Sequence, residues 1–224
     1  MISSFQYKGK VKEGLFVVLP GWASDWRIFS LLDLGFNYVK PLNFLPSTFA
    51  DKLLEYIRKN NIKKVSLFGL SMGGFVAAEF AAKYPDLIDE IILVGIRKKY
   101  KLKELSEIRN HLTKNKKACL YEFYTMCFSD NKQLAWFQRS LFQDYCDKWD
   151  LDYLFQGLDY LENAQIRPES LVKLKKIQFV HGENDQIAPI AEAKEIKRGL
   201  PQAKFISIKG AGHIHSLRGG LLKV

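Results

Sequence analysis

A glycine-flanked serine, an aspartate and a histidine follow one another in this chain, each just past an apolar run. Ser71 lies in Gly69-Leu70-Ser71-Met72-Gly73-Gly74. The run Val65-Ser66-Leu67-Phe68 before it predicts a short buried strand, and the alanine-rich stretch 72–84 predicts a helix that stops before Pro85. Gly-x-Ser-x-Gly between a strand and a helix is the form of a nucleophile elbow. The serine hydroxyl is held out on a sharp turn, and the glycines leave room where side chains would collide. The helix N-terminus behind it favours developing negative charge.

A serine hydroxyl is a weak nucleophile near neutral pH. It needs a base in hydrogen-bond reach and a carboxylate to orient that base. Asp185 follows the apolar run Ile177-Gln178-Phe179-Val180, and His213 follows the run 204–208 in Gly210-Ala211-Gly212-His213. Both sit in strand-end loops, where open α/β sheets gather their catalytic groups. Glu183 is the rival acid, but it comes early in its loop, so Asp185 is favoured. His215 is the rival base; the glycines before His213 favour that residue. His181 ends a strand and reads as structural, and His111 reads as solvated. A tetrahedral oxyanion needs two fixed donors. The backbone N–H of Met72 is one candidate, and that of Trp22, after the run 15–19 and beside Gly21, is the other.

Stepping along the chain, strands are predicted at 5–7, 15–19, 38–42, 65–68, 90–95, 177–180 and 204–208. Helices are predicted at 26–34, 48–60, 72–84 and 190–200. Unbroken apolar runs suit strands covered on both faces, and the alternation with helices argues for a mostly parallel sheet in an α/β fold with helices on both faces. The alternation stops at Arg97. Residues 97–165 read as helices only, near 102–112, 117–128, 132–146 and 151–163, and are rich in aromatics. They form a helical insertion, in the position of a cap, within a core made of 1–96 and 166–224.

The 224 residues suit one core domain with an insertion. The first residues lack the apolar stretch of a signal peptide, and no run is long enough to span a membrane. The three cysteines have no metal-ligand spacing and read as reduced thiols of a cytoplasmic protein. The formal charge of +10 suits an acidic partner or simple solubility, and no nucleic-acid motif accompanies it.

With elbow, acid loop and histidine loop in this order, the chain resembles the α/β-hydrolase superfamily over nearly its whole length. It is most similar to the pimeloyl-[acyl-carrier protein] methyl ester esterases of biotin synthesis. The likeness rests on Leu19-Pro20-Gly21-Trp22-Ala23-Ser24-Asp25-Trp26, on the elbow, and on Gly157-Leu158-Asp159-Tyr160-Leu161-Glu162-Asn163-Ala164-Gln165-Ile166-Arg167. The resemblance implies a serine esterase that needs no cofactor or metal and cleaves the methyl ester of an acyl chain borne on acyl carrier protein. A general short-chain carboxylesterase, a thioesterase or acyltransferase, and a non-catalytic binding protein are the alternatives. Acyl carrier proteins are acidic. Arg97, Lys98, Lys99, Lys101, Lys103 and Arg109, early in the insertion, are therefore the expected docking surface, and a solvated lysine-rich face is the plainer account of them. The chain departs from the family pattern at Pro20, where relatives have His. It also has a shorter loop after the strand 38–42 and little sequence after His213, which implies weaker bracing of that histidine.

Overall fold

A computed structural model of the chain describes residues 4–8, 15–32, 34 and 38–215. Its frame is a seven-stranded sheet: β1 (Phe5–Lys8), β2 (Phe16–Leu19), β3 (Tyr38–Pro41), β4 (Val65–Leu70), β5 (Ile88–Val94), β6 (Ile177–Gly182) and β7 (Lys204–Ile208). The spatial order is β1-β3-β2-β4-β5-β6-β7. Only the edge strand β1 runs antiparallel, to β3; every other pairing is parallel. Every residue of β2, β4 and β6 is buried, as continuous apolar runs require when helices cover both faces.

The helices of the core are α1 (Phe29–Leu32), α2 (Pro46–Lys59), α3 (Met72–Lys83) and, late in the chain, α8 (Ile190–Arg198). The expected helix at 26–34 is shorter: a 3₁₀ turn at Trp26–Ile28 leads into the single turn of α1, and residue 33 lies outside the described residues. In α2, Pro46 occupies the first turn, where its missing N–H costs nothing. Its buried face is Phe49, Leu53 and Ile57, each contributing about 2 kcal/mol by leaving water. In contrast, α3 is buried almost all round, which is why its sequence is Ala- and Gly-rich rather than amphipathic.

Between β5 and β6 the chain is helical: α4 (Leu102–Cys127), α5 (Asn131–Phe137), α6 (Gln143–Lys148) and α7 (Leu151–Asn163). The two helices expected near 102–112 and 117–128 are the two arms of α4. They meet at Asn115, whose backbone (φ −158°, ψ 92°) is not helical and whose Oδ1 caps the second arm by accepting from the N–H of Ala118 at 3.0 Å. The helix expected at 132–146 is α5 and α6 joined by a π-helical turn at Gln138–Phe142. An antiparallel bridge between Lys99 and Gln165 ties the two ends of this helical block together.

The sheet brings the elbow and the loop after β2 side by side, because β2 pairs with β4 with Leu19 opposite Gly69. It does the same for the acid and histidine loops, because β6 pairs with β7 with Gly182 opposite Ile208. The strand order reverses direction at β2, so the crevice beyond β2 and β4 is the switch point at which such sheets bind ligands.

The packing of α3 on β2 tolerates no side chain at Gly73. A Cβ there would lie 2.2 Å from the carbonyl oxygen of Leu19. Gly73→Ala is expected to cost about 3 kcal/mol, as overpacking against rigid backbone does. Urea unfolding measures this, and an unchanged midpoint would contradict the close α3–β2 contact.

Candidate active site

Ser71 stands between β4 and α3 with φ 52° and ψ −120°, a left-handed conformation that a residue with a side chain adopts at a cost of about 1–3 kcal/mol. Its N–H donates to the carbonyl of Val94 on β5 at 2.9 Å. Gly69 makes the turn possible, since a Cβ there would come within 2.6 Å of the backbone of Gly73 and Gly74. Met72 is the first residue of α3, so its N–H has no partner within the helix. Gly21 lies against the elbow, where a Cβ would be 3.3 Å from that of Ser71, and this brings the Trp22 backbone alongside.

Asp185 and His213 meet: His213 Nδ1 is 2.8 Å from Asp185 Oδ2. The other oxygen, Oδ1, accepts from the N–H groups of Ile187 and Ala188, both at 2.8 Å. Burial works to raise the Asp185 pKa. The charge and hydrogen bond of His213, with the amide of Ala188, outweigh burial and hold it below the ordinary carboxylate value. The bond through Nδ1 leaves Nε2 of His213 as the nitrogen available for chemistry, and Nε2 is buried without another hydrogen-bond partner among the described residues. Gly95 explains how the ring reaches the elbow. It directly follows Val94, has φ 56°, and a Cβ on it would lie 2.9 Å from His213 Nδ1. The ring of His213 therefore covers the end of β5 one residue beyond the carbonyl that holds Ser71.

The rivals are placed differently. Glu183 is exposed. Nδ1 of His215 contacts the carbonyl of Gly212 at 3.0 Å, and Nε2 of His181 contacts that of Ala188 at 2.7 Å, so both serve loop structure. His111 is exposed at the wall of the cavity that contains Ser71.

That cavity has a volume of about 300 Å³. Trp22, Ser71 and Tyr100 line one part of it, and Leu105, Phe123 and Leu158 supply apolar wall. Tyr100 escaped the sequence reading. Its hydroxyl interacts with that of Ser71, its ring lies under the Arg97 guanidinium at 4.7 Å, and burial pushes its pKa up to about 12. The signal available was its position, a few residues past the carboxyl end of β5. Among the described residues no group of His, Cys, Asp and Glu side chains is arranged to hold a metal ion.

The basic run behaves differently from its sequence appearance. Arg97 is buried, with ion pairs to Glu104 at 2.9 Å and Glu192 at 3.0 Å, so it is not a docking residue. This corrects the expectation: a guanidinium enclosed by two carboxylates has no charge to offer a partner. Lys98 pairs with Glu195 at 2.6 Å, and Arg109 with Asp159 at 2.6 Å and Glu162 at 3.4 Å. Lys99, Lys101 and Lys103 are exposed, and Lys103 approaches Glu107 at 4.0 Å.

Comparison with known proteins shows the family of the chain. The Hydrolase_4 model (serine aminopeptidase, S33) matches residues 48–216, well over half of the chain. The chain belongs to this family. The pimeloyl-[acyl-carrier protein] methyl ester esterase of Nitrosomonas europaea is 24% identical over 177 residues, covering 73% of this chain and 69% of that protein. The AB hydrolase superfamily protein YisY of Bacillus subtilis is 25% identical over 187 residues, covering 74% and 66%. The esterase of Exiguobacterium antarcticum superposes with a TM-score of 0.78 over 97% of this chain and 89% of its own, at 18% identity, a likeness of fold. The chain is thus an α/β hydrolase, and it spans about two thirds of the length of the curated relatives it matches.

In this hydrolase the helical block fastens the loop after β2. The indole N–H of Trp22 donates to the carbonyl of Leu154 at 2.9 Å, and Gly157 leaves room for that ring. The hydroxyl of Tyr124 donates to the carbonyl of Ala23, another residue with positive φ (53°). Asp25 accepts from Tyr145 at 3.0 Å and from Lys148 at 2.7 Å. The block also holds the histidine loop: the N–H of Ile214 donates to Cys127 at 2.8 Å, and Ser129 donates to Gly210 at 2.7 Å. His213 is therefore braced by the end of α4; residues 216–224 lie outside the described residues.

Tyr145→Phe should lower stability by about 2 kcal/mol, because it removes a donor from a buried carboxylate. Denaturant unfolding reads this, and a loss no larger than that of a surface substitution would contradict the Asp25 anchor. A second expectation concerns pH. Burial pushes His215 down to about 4 from 6.5, so between these values the unfolded chain binds the proton and the folded chain does not. Stability should therefore fall by up to about 3 kcal/mol as pH drops through that window. Replacing His215 with Gln should flatten the fall, seen in unfolding midpoints across pH; an equally steep fall in the variant would assign the effect elsewhere.

Proposed function

We propose that the chain is a serine carboxylesterase in which Ser71 is the nucleophile, His213 the base and Asp185 the residue that orients it. Residues 97–165 act as its cap. The observation that carries the reading is the Asp185–His213 hydrogen bond, with Nε2 of the histidine unpartnered beside the end of β5 that holds the left-handed Ser71.

In this reading Oγ of Ser71 attacks the ester carbonyl while Nε2 of His213 takes its proton. The C=O electron pair moves onto oxygen, and the N–H groups of Met72 and Trp22 stabilise that oxyanion. The pair returns, the C–O bond to the alcohol breaks, and the alcohol leaves with the proton from His213. A water molecule then gives a proton to His213 and attacks the acyl-enzyme; the acid is released and Ser71 regains its hydrogen. Asp185 stays ionised and stabilises the imidazolium. No step calls for a cofactor. Three buried free cysteines suit a reducing cytoplasm.

The finer form of the reading is a methyl ester at the end of an acyl chain on acyl carrier protein. Its support is the likeness to the Nitrosomonas europaea esterase and the exposed Lys99, Lys101 and Lys103, which adjoin in sequence the cavity-lining Tyr100 and Glu104. Without a carrier the same machinery is a general carboxylesterase.

One experiment tests both levels. Hydrolysis of a methyl-capped pimeloyl chain on its carrier protein is compared with that of the free methyl ester, at low and high salt, in the wild type and in Ser71→Ala. The serine variant should stay folded and lose at least about a thousandfold in rate on either substrate. Activity near the wild-type level in that variant ends the reading. Preference for the carrier form, eroded by salt, supports a docked carrier, and equal turnover leaves a general carboxylesterase.

A further inference from the structure

The chain carries +10 overall, yet the cavity that contains Ser71 has the opposite character. Its charged walls are one arginine and three glutamates: Arg97, Glu104, Glu107 and Glu122. Arg97 is held by Glu104 and also by Glu192, two carboxylates to one guanidinium. Its charge is spent within the wall. Glu122 has no ion-pair partner among the described residues, and Glu107 has only Lys103 at 4.0 Å, whose side chain is 88% exposed. Of the other basic groups of this region, Lys98 pairs with Glu195 and Arg109 with Asp159 and Glu162, while the exposed Lys99 and Lys101 are not part of the cavity lining.

The kink at Asn115 decides where these carboxylates stand. Glu107 and His111 belong to the first arm of α4, and Cys119 and Glu122 to the second. Both arms line the one cavity, so carboxylates approach it from two sides. The negative charge of Glu122, after burial, helps to raise the Cys119 thiol to about 11. Glu107, His111 and Glu122 are exposed, whereas Trp22, Ser71, Tyr100, Leu105 and Leu158 are buried. The cavity is thus apolar around the serine and acidic where it meets solvent. A recess whose mouth carries one sign of charge focuses that field on what enters.

We infer that this cavity selects its esters by charge, admitting acyl chains with a cationic or uncharged far end and turning away those that end in a carboxylate or phosphate. Glu107 and Glu122 are the specificity-determining residues. The inference rests on the general carboxylesterase form of the reading above, adds the substrate class to it, and counts against an acidic carrier at this mouth. The mouth is open to solvent, so the effect is moderate and salt-sensitive.

The test uses the full chain and nitrophenyl esters of matched acyl length ending in trimethylammonium, methyl or carboxylate, with Ser71→Ala as blank. At low salt, kcat/KM should run trimethylammonium, methyl, carboxylate, with about tenfold between the first and last. High salt should compress the ratio towards one. So should Glu107→Gln combined with Glu122→Gln, while Lys176→Met, which breaks the pair with Asp89 at the far end of the sheet, should keep the wild-type ratio. Serine-dependent turnover with equal rates, or with the carboxylate preferred, overturns the inference and leaves the esterase standing. A ratio unchanged in the double glutamine variant removes these two residues from the explanation and overturns it too. No serine-dependent turnover of any of the three esters would remove the esterase reading itself.

Discussion

The left-handed backbone of Ser71 is the constraint on which the site depends. A residue with a Cβ holds φ near 52° only when its surroundings leave no alternative. Here the N–H is fixed to Val94, and Gly69 and Gly73 let α3 close onto β4 and β2 at backbone contact. That closeness needs a wholly apolar helix face, which explains why α3 carries little polarity before Glu79. The strain of about 1–3 kcal/mol is small beside what this packing provides, since Phe75, Ala77, Phe80 and Ala81 are all almost fully buried.

Much of this was legible in the sequence because it is local. Glycines around a serine, apolar runs and helical punctuation act over a few residues, and they give the seven strands and the order of the three site residues. The break in α4 was legible as well, because Asn115 favours a cap over a helix interior. What stayed hidden joins residues far apart in the chain. Arg97 and Glu192 are 95 positions apart, and Asp25 and Lys148 are 123 apart. Net charge counts such residues as free, and only the fold reveals that they cancel. The basic run 97–109 therefore reads as uniformly free charge in sequence, whereas in the structure Arg97, Lys98 and Arg109 are held in ion pairs and Lys99 and Lys101 stay exposed. Tyr100 was missed for the same reason. Its place just past β5 was the one local signal, and its contact with Ser71 forms only in the fold.

The helical block does more than line the cavity. Its side chains reach the loop after β2 at Trp22, Ala23 and Asp25, and its backbone reaches the histidine loop at Ile214. Each such hydrogen bond contributes about 1 kcal/mol, more where Asp25 is the acceptor. Together they make the two loops that flank Ser71 lean on one body. The strand ends position these loops in the plane of the sheet, and the block sets their height above it.

This arrangement bears on how a substrate reaches the serine. Swinging the block away as a rigid lid about the Lys99–Gln165 bridge would break the contacts of Trp22, Ala23 and Asp25 and pull on the His213 loop at the same time. Access by that route would undo the hydrogen bonds that hold the two loops flanking Ser71. The split in α4 offers another route, since the cavity extends from Ser71, past the ring of Trp22, to exposed residues on both arms while the hydrogen bonds of Trp22, Ala23 and Asp25 stay in place. The kink at Asn115, which looks like a defect in a long helix, is then what allows the helical block to be fixed while the cavity stays open between its arms. It also puts Glu107 and Glu122, rather than the lysines of the same helix, in the lining of the cavity that contains Ser71.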